Sequence, residues 1–371
     1  VARLRRNAHA RPEVVILHGA GEGALTDEAL TDEARADEVR ADEADTRVQA
    51  AAVAAALADL GHSVRVVALG LDLGRLEALA AERPALVFNL VEALVGKGQL
   101  HPAVPLALEA FGVAYTGCPA EALLTTSSKV LAKRMMAAVG LPTPDWIEPE
   151  AIAAPPRDPA ARYIVKSVWE DASIGISETS VVAAAAVAAT AFERQRNFGG
   201  QWFAERYVEG REFNLSLLET ADGPVVLPAA EILFVDFPPG RPHIVDYEAK
   251  WDPTSPVYHN TPRRFDLPAR DRRLVQELNR IALAAWHLFG LKGYARVDFR
   301  VDAAGQIWVL EVNGNPCLSP DAGYAAAAAR AGLSYDALIE RIVAAAWSAR
   351  ASLPVGAAVQ PCSGSARSRT I

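Results

Sequence analysis

Four residues in two short runs carry the most concentrated chemistry of this chain. Arg296 and Asp298 lie in GYARVDFRV, and Glu311 and Asn313 in IWVLEVNGNP. Each pair is spaced by two, the repeat that keeps side chains on one face of a strand. Residues 294–301 alternate, with Tyr294, Arg296, Asp298 and Arg300 on one side and Ala295, Val297, Phe299 and Val301 on the other. Residues 302–305, Asp-Ala-Ala-Gly, suit a tight turn, and residues 306–313 return as a second strand. If the loop closes symmetrically, Val301 faces Gln306 and Arg296 faces Glu311. Antiparallel parity then gathers Arg296, Asp298, Glu311 and Asn313 on one face, and a one-residue bulge would undo this. Two carboxylates and an amide oxygen so grouped are hard ligands of the kind magnesium takes together with phosphate oxygens. The plainer reading is a solvated sheet face carrying salt bridges. The abrupt exit through Asn313-Gly314-Asn315-Pro316 weighs against it.

Other residues could serve a nucleotide. Ser127 or Ser128 can cap a helix running to about Val139, which puts Lys129 in its first turn. Tyr163-Ile164-Val165-Lys166 reads as a strand ending in a lysine, followed by a small-residue loop containing Ser173 and Gly175. A lysine point charge beside backbone N–H groups can hold phosphates, although a strand-end lysine alone is ordinarily solvated. In residues 202–213, strand, turn and strand, Glu205 could accept from an adenine amino group, Val208 could offer its backbone to the ring edge, and Glu212 could accept from ribose hydroxyls. A charged hairpin is the alternative. Asp246-Tyr247-Glu248-Ala249-Lys250 places another lysine in an expected mobile loop, free to close over phosphates or to stay solvated.

The elements that must position these groups follow from periodicity. Strands at residues 14–18, 63–69 and 85–90 alternate with helices at residues 48–60 and 105–111, which predicts an amino-terminal α/β domain with a parallel sheet. Four imperfect copies of an acidic pentapeptide fill residues 26–45. Five is neither a helical nor a strand period, so a solvated or mobile acidic insertion is expected there. From residue 162 the pattern turns to hairpins around an Ala-rich helix at residues 181–194. A helix at residues 271–289 precedes the Arg296–Asn313 hairpin, and a last helix spans residues 334–351. The expected division is residues 1–125, 126–215 and 216–350, with a disordered tail at 351–371.

The chain has 371 residues, enough for two or three domains with full cores. A net charge of −8 without a long basic run argues against a nucleic-acid partner. No apolar run reaches membrane-spanning length and no signal peptide is evident. Cys118, Cys317 and Cys362 are widely spaced, which fits a reducing cytoplasm and neither a disulfide nor a zinc framework.

Taken in order, FGVAYTG (residues 111–117), the Lys129 helix with GLPTP after it, YIVK, ERYVEGREF, DYEAKW and RVDF…LEVNGNP resemble the ATP-grasp superfamily, and within it the D-alanine–D-alanine ligase family. The resemblance runs from about residue 14 to residue 346. It implies a three-domain α/β (α+β) ATP-grasp fold. It further implies that Lys129, Lys166, Ser173 and Lys250 meet ATP phosphates, that Glu205, Arg206, Tyr207 and Val208 surround adenine, and that Glu212 holds the ribose. Asp298, Glu311 and Asn313 would hold two magnesium ions, with manganese as an alternative, and Arg296 and Lys250 would be catalytic. The implied reaction activates a carboxylate as an acyl phosphate, which an amine then displaces to form an amide. Implied partners are small amino-acid or peptide-like substrates and, by family analogy, a second copy of the chain.

The departures from the family pattern fall at the amino-acid end. GAGEGALTDEAL has no clear match to the family's amino-terminal glutamate and serine, and Glu92-Ala93 replaces a His-Gly pair. Val245, Cys317 and Ala322 replace a tyrosine, a glycine and a serine. Glu92 and Ser319 are the substrate-contact candidates, with a solvated loop glutamate as the plain reading of Glu92. A changed substrate is expected. A phosphotransferase on the same scaffold, or a nucleotide-binding protein without turnover, are the alternatives.

Overall fold

The computed structural model describes residues 11–20, 41–72 and 74–351. The continuous apolar run Val14-Val15-Ile16-Leu17 in β1 (Arg11–Gly19) is fully buried, as expected of a strand covered on both faces. β1 lies between β2 (His62–Leu69) and β3 (Leu86–Asn89) in a parallel sheet. One face packs on α1 (Ala41–Asp59) through Val53 and Leu57, and on α11 (Tyr335–Ala351) through Leu338 and Ile342. The other packs on α2 (Gly74–Ala81) through Leu76 and on α3 (Ala103–Ala110) through Leu108. The backbone of the last copy of the acidic pentapeptide is helical and opens α1; residues 26–40 lie outside the described residues.

α4 (Ala120–Ser127) and α5 (Lys129–Ala138) lead into a second, antiparallel sheet. Ser128 caps α5, its side chain accepting from the Leu131 N–H at 3.3 Å, so Lys129 begins the helix. The sheet runs β4-β7-β5-β6, with β4 (Trp146–Ile147), β5 (Arg162–Ser167), β6 (Val181–Ala183) and β7 (Trp202–Arg206). The helix expected from residue 181 starts later. Val181–Ala183 pairs with β5, a 3₁₀ turn follows, and α6 runs Val187–Phe198. Two β-branched valines suit the open edge of β5, and that pairing overrides the alanine-rich helical signal behind them. The short helices α2 and α4 are additions to the elements that periodicity predicts.

The largest sheet is ordered β11-β10-β8-β12-β13, with β9 (Gly223–Val226) also on β8 (Arg211–Thr220). β10 is Ala230–Ile232, β11 Arg263–Arg264, β12 Tyr294–Val301 and β13 Ile307–Asn313. α9 (Arg272–Leu288) buries Leu278, Ile281, Ala282 and Ala285 against it, an i, i+3, i+4, i+7 stripe. Between β10 and β11, the stretch expected to be a mobile loop contains α7 (Tyr247–Trp251), capped by Asp246, and α8 (Pro256–His259).

The β12–β13 register corrects the symmetric expectation. Val301 faces Ile307, not Gln306, because Asp302 N–H closes on Gln306 O at 3.0 Å around a three-residue loop with Gly305 at φ +80°. The ladder slips again between Asp298 and Phe299, where Leu310 bulges from β13. Asp298 therefore faces Glu311, and Arg296 faces Asn313. The bulge does not break the four-residue alignment; it produces it, by undoing the parity change at the turn.

Candidate active site

Every nucleotide, metal and substrate candidate that the resemblance implies borders one cavity of about 550 Å³ that opens among the three sheets. The hairpin supplies its floor. Arg296 grips Asp298 with two hydrogen bonds of 2.8 Å and lies 3.7 Å from Glu311. Asn214 on β8 donates to Asp298 at 2.8 Å, and Asn313 accepts from the Asn315 N–H at 2.8 Å. Burial, helped by Asp171 and Asp298, raises the Glu311 carboxyl to about 7 against the pull of Lys129 and Arg296.

Comparisons with known proteins decide the family. The family model described as D-ala D-ala ligase C-terminus matches residues 135–344. A D-alanine–D-alanine ligase of Chromohalobacter salexigens is 34% identical over 285 residues, covering 74% of this chain and 80% of that protein. The chain belongs to the D-alanine–D-alanine ligase family. A Synechococcus member is 33% identical, covering 78% of this chain and 84% of its own length. The crystal structure of the Bacillus anthracis ligase complexed with ATP shares the fold with TM-score 0.67 at 19% identity, over 92% of this chain and 99% of that one. The architecture is accordingly the ATP-grasp fold, and the family is one of ATP-dependent ligases. Among the described residues no helix is long and apolar enough to cross a membrane.

On the ligase scaffold, the three lysines reach the cavity in different ways. Lys129 Nζ donates to Asp171 at 2.6 Å and to the Glu170 carbonyl at 2.9 Å. Lys166 pairs with Glu205, which is only 1% exposed and also sits 2.6 Å from Lys133. Burial would raise the Glu205 carboxyl, but Lys133 and Lys166 outweigh it and hold the group down to about 2. Glu205 is therefore an ion-pair centre at the cavity wall. Lys250 rides on α7, its ammonium 5.2 Å over the Trp251 ring.

Ser173 sits beside α7. Its hydroxyl donates to the Val245 carbonyl at 2.8 Å, while Trp251 Nε1 donates to Ala172 O at 2.9 Å. Ala172 and Ser173 both have left-handed backbones, φ +58° and +62°, a costly conformation for residues with a Cβ. The Ser173 loop and the Lys250 helix are thus tied to one another. Glu212 accepts from the buried Arg300 at 2.7 Å, and Arg300 also donates to Gly210 O at 3.2 Å and to the His243 carbonyl. Tyr207 and Val208 border the same end of the cavity, and Arg206 extends its exposed rim.

At the opposite end Glu92 is half-buried in the cavity wall. Gln49 of α1 donates to its carboxylate at 3.0 Å, and the Gln49 oxygen accepts from Leu318 N–H at 2.6 Å. Burial lifts Glu92 to about 7 despite Gln49 and Lys250. One helical turn before Gln49, Asp45 accepts from Ser319 Oγ at 2.9 Å and from Cys317 Sγ at 3.0 Å. Asp45 was hidden in the acidic repeat, Lys133 and Asp171 lay unremarked in the Lys129 helix and the Ser173 loop, and Arg263 stood in no motif. Arg300 was legible as the third member of the Arg296–Asp298 alternation.

Proposed function

We propose that the protein is an ATP-dependent carboxylate–amine ligase that joins amino-acid-like substrates through an acyl phosphate, with at least one substrate other than D-alanine. The observation that carries this reading is the convergence of Arg296, Asp298, Glu311 and Asn313 with Lys129, Lys166 and Lys250 on one cavity.

The residues fit the cofactors that this chemistry uses. Two carboxylates and an amide oxygen are too few to enclose a cation alone, and among the described residues no group of three His, Cys, Asp or Glu does so. Such an incomplete oxygen set suits magnesium, which takes a few carboxylates together with phosphate oxygens. When bound, magnesium supplies charge neutralisation on the transferring phosphoryl group. Lys129, Lys166 and Lys250 add fixed positive charge to the same group, and Arg300 orients Glu212 for the ribose. Arg296 faces the reacting carboxyl and stabilises the oxyanion formed when the amine attacks. The linked Ser173 loop and α7 close the phosphate end against water.

The amino-acid end supports a changed substrate. Asp45 and Glu92 take their hydrogen bonds from neutral donors, so both remain able to receive an ammonium group. Ala322 precedes α10 (Gly323–Arg330) without a hydroxyl, and Arg263, donating to Asp321 O at 2.8 Å, is the nearby cation for a substrate carboxylate. A screen of L- and D-amino acids, singly and in pairs, for ATP-dependent phosphate release tests the proposal, with products read by mass spectrometry. Phosphate release with a new amide mass is expected from a pair containing at least one amino acid other than D-alanine. A phosphorylated product without amide would replace the reading by a phosphotransferase.

A further inference from the structure

Lys133 is given no role by the resemblance, yet it is 1% exposed; burial pulls its ammonium below the ordinary lysine value, and Glu205 opposes that pull. It lies one turn after Lys129 on α5. Its ammonium is 2.6 Å from Glu205 and donates to Thr143 Oγ1 at 2.7 Å. Thr143 donates in turn to Val309 O at 2.9 Å, and Val309 N–H donates to Pro142 O at 2.7 Å. Val309 stands directly before the Leu310 bulge that aims Glu311. A buried lysine is costly unless it is paired, so its position calls for a reason beyond packing. Glu205 bonded to Lys166 alone would make a neutral pair, leaving no net charge at the cavity wall. Two lysines on one carboxylate leave one positive charge, and of the two only Lys166 reaches the cavity.

We propose that Lys133 is a positioning residue that neutralises Glu205 from behind, so that Lys166 presents a full positive charge to the nucleotide phosphates. This rests on the nucleotide reading of the cavity. Lys133 touches no ligand; it acts through Glu205 alone.

The test measures ATP affinity by calorimetry for the full chain with magnesium. Wild-type binding is read first; no binding there overturns the nucleotide reading itself and Lys133's role with it. Given wild-type binding, Lys133→Met is expected to weaken ATP on the order of 10–100-fold, as for other buried partners that orient a ligating group. Adding Glu205→Gln to Lys133→Met removes the anion that would otherwise cancel the Lys166 charge and keeps an acceptor, so most of the affinity is expected to return. A purely structural lysine would give no such recovery. The comparison of Glu205→Gln with Glu205→Gln/Lys133→Met serves if the single Lys133 variant does not fold. Affinities within about threefold of each other support action through Glu205 alone; a further large loss in the double variant overturns it, as does wild-type ATP affinity in Lys133→Met.

Discussion

Asp298 and Glu311 stand directly opposite each other across the β12–β13 ladder, and they do so because Leu310 is extruded between Val309 and Glu311. Below the bulge Ile307 and Val309 point into the core with Val301 and Phe299; above it Glu311 and Asn313 point into the cavity with Asp298 and Arg296. One strand thus serves a packed interior and the proposed magnesium ligands within seven residues.

If Glu311 holds magnesium as proposed, replacing it by Ala is expected to lower ATP-dependent turnover by at least about 10²-fold, since several kcal/mol of charge stabilisation are then lost. The ligand-free protein should melt no lower than wild type, because burial already disfavours this carboxylate. Unchanged turnover in a steady-state phosphate assay would sink the metal assignment.

Glu92 makes stability depend on pH. Its carboxyl is raised from 4.5 to about 7 in the fold, so the folded state binds more protons than the unfolded one across that window. Stability therefore falls as pH rises from about 4.5 to 7 and stays reduced above it. Glu92→Gln keeps the acceptor for Gln49 and removes the charge. It is expected to stabilise the ligand-free protein at pH 8 by on the order of 2 kcal/mol and to have little effect at pH 4. Denaturant titrations at the two pH values check this; equal shifts at both would show that Glu92 is solvated in the free protein.

Arg300 is 3% exposed and serves Glu212 and the carbonyls of Gly210 and His243. Arg300→Met should destabilise by about 3–5 kcal/mol by leaving Glu212 without its cation. Arg300→Lys should recover little, because an ammonium cannot reproduce the planar fork of donors. Thermal melts of both variants, with and without ATP, separate lost packing from lost nucleotide affinity.

Gly210 turns the chain between β7 and β8 at φ +151°, and a Cβ there would lie 2.1 Å from the Val301 carbonyl oxygen. Gly210→Ala should cost about 1–3 kcal/mol or more and displace Arg300 from its carbonyl partner. Lowered stability with weaker ATP binding is the expected result. A wild-type melt would mean that the turn yields without strain.

The kinds of residue at the nucleotide end, and their order along the chain, are legible in the sequence by itself. Lysines at a helix start and a strand end, and Asp-Glu-Asn on two strands, answer to local rules of capping and alternation that neighbours in sequence enforce. Even the bulge leaves a trace, since Ile307, Val309 and Val312 cannot share one face of an unbroken period-two strand. The edge pairing that turns Val181–Ala183 into β6, the burial of Lys133 behind Glu205, and the recruitment of Asp45 and Gln49 to residues 317–319 leave no comparable trace. Each depends on contacts between segments tens to hundreds of residues apart. Whether a charge far along the chain is solvated, paired or aimed into a cavity is settled by what packs against it, and for these residues that packing arises only in the folded whole.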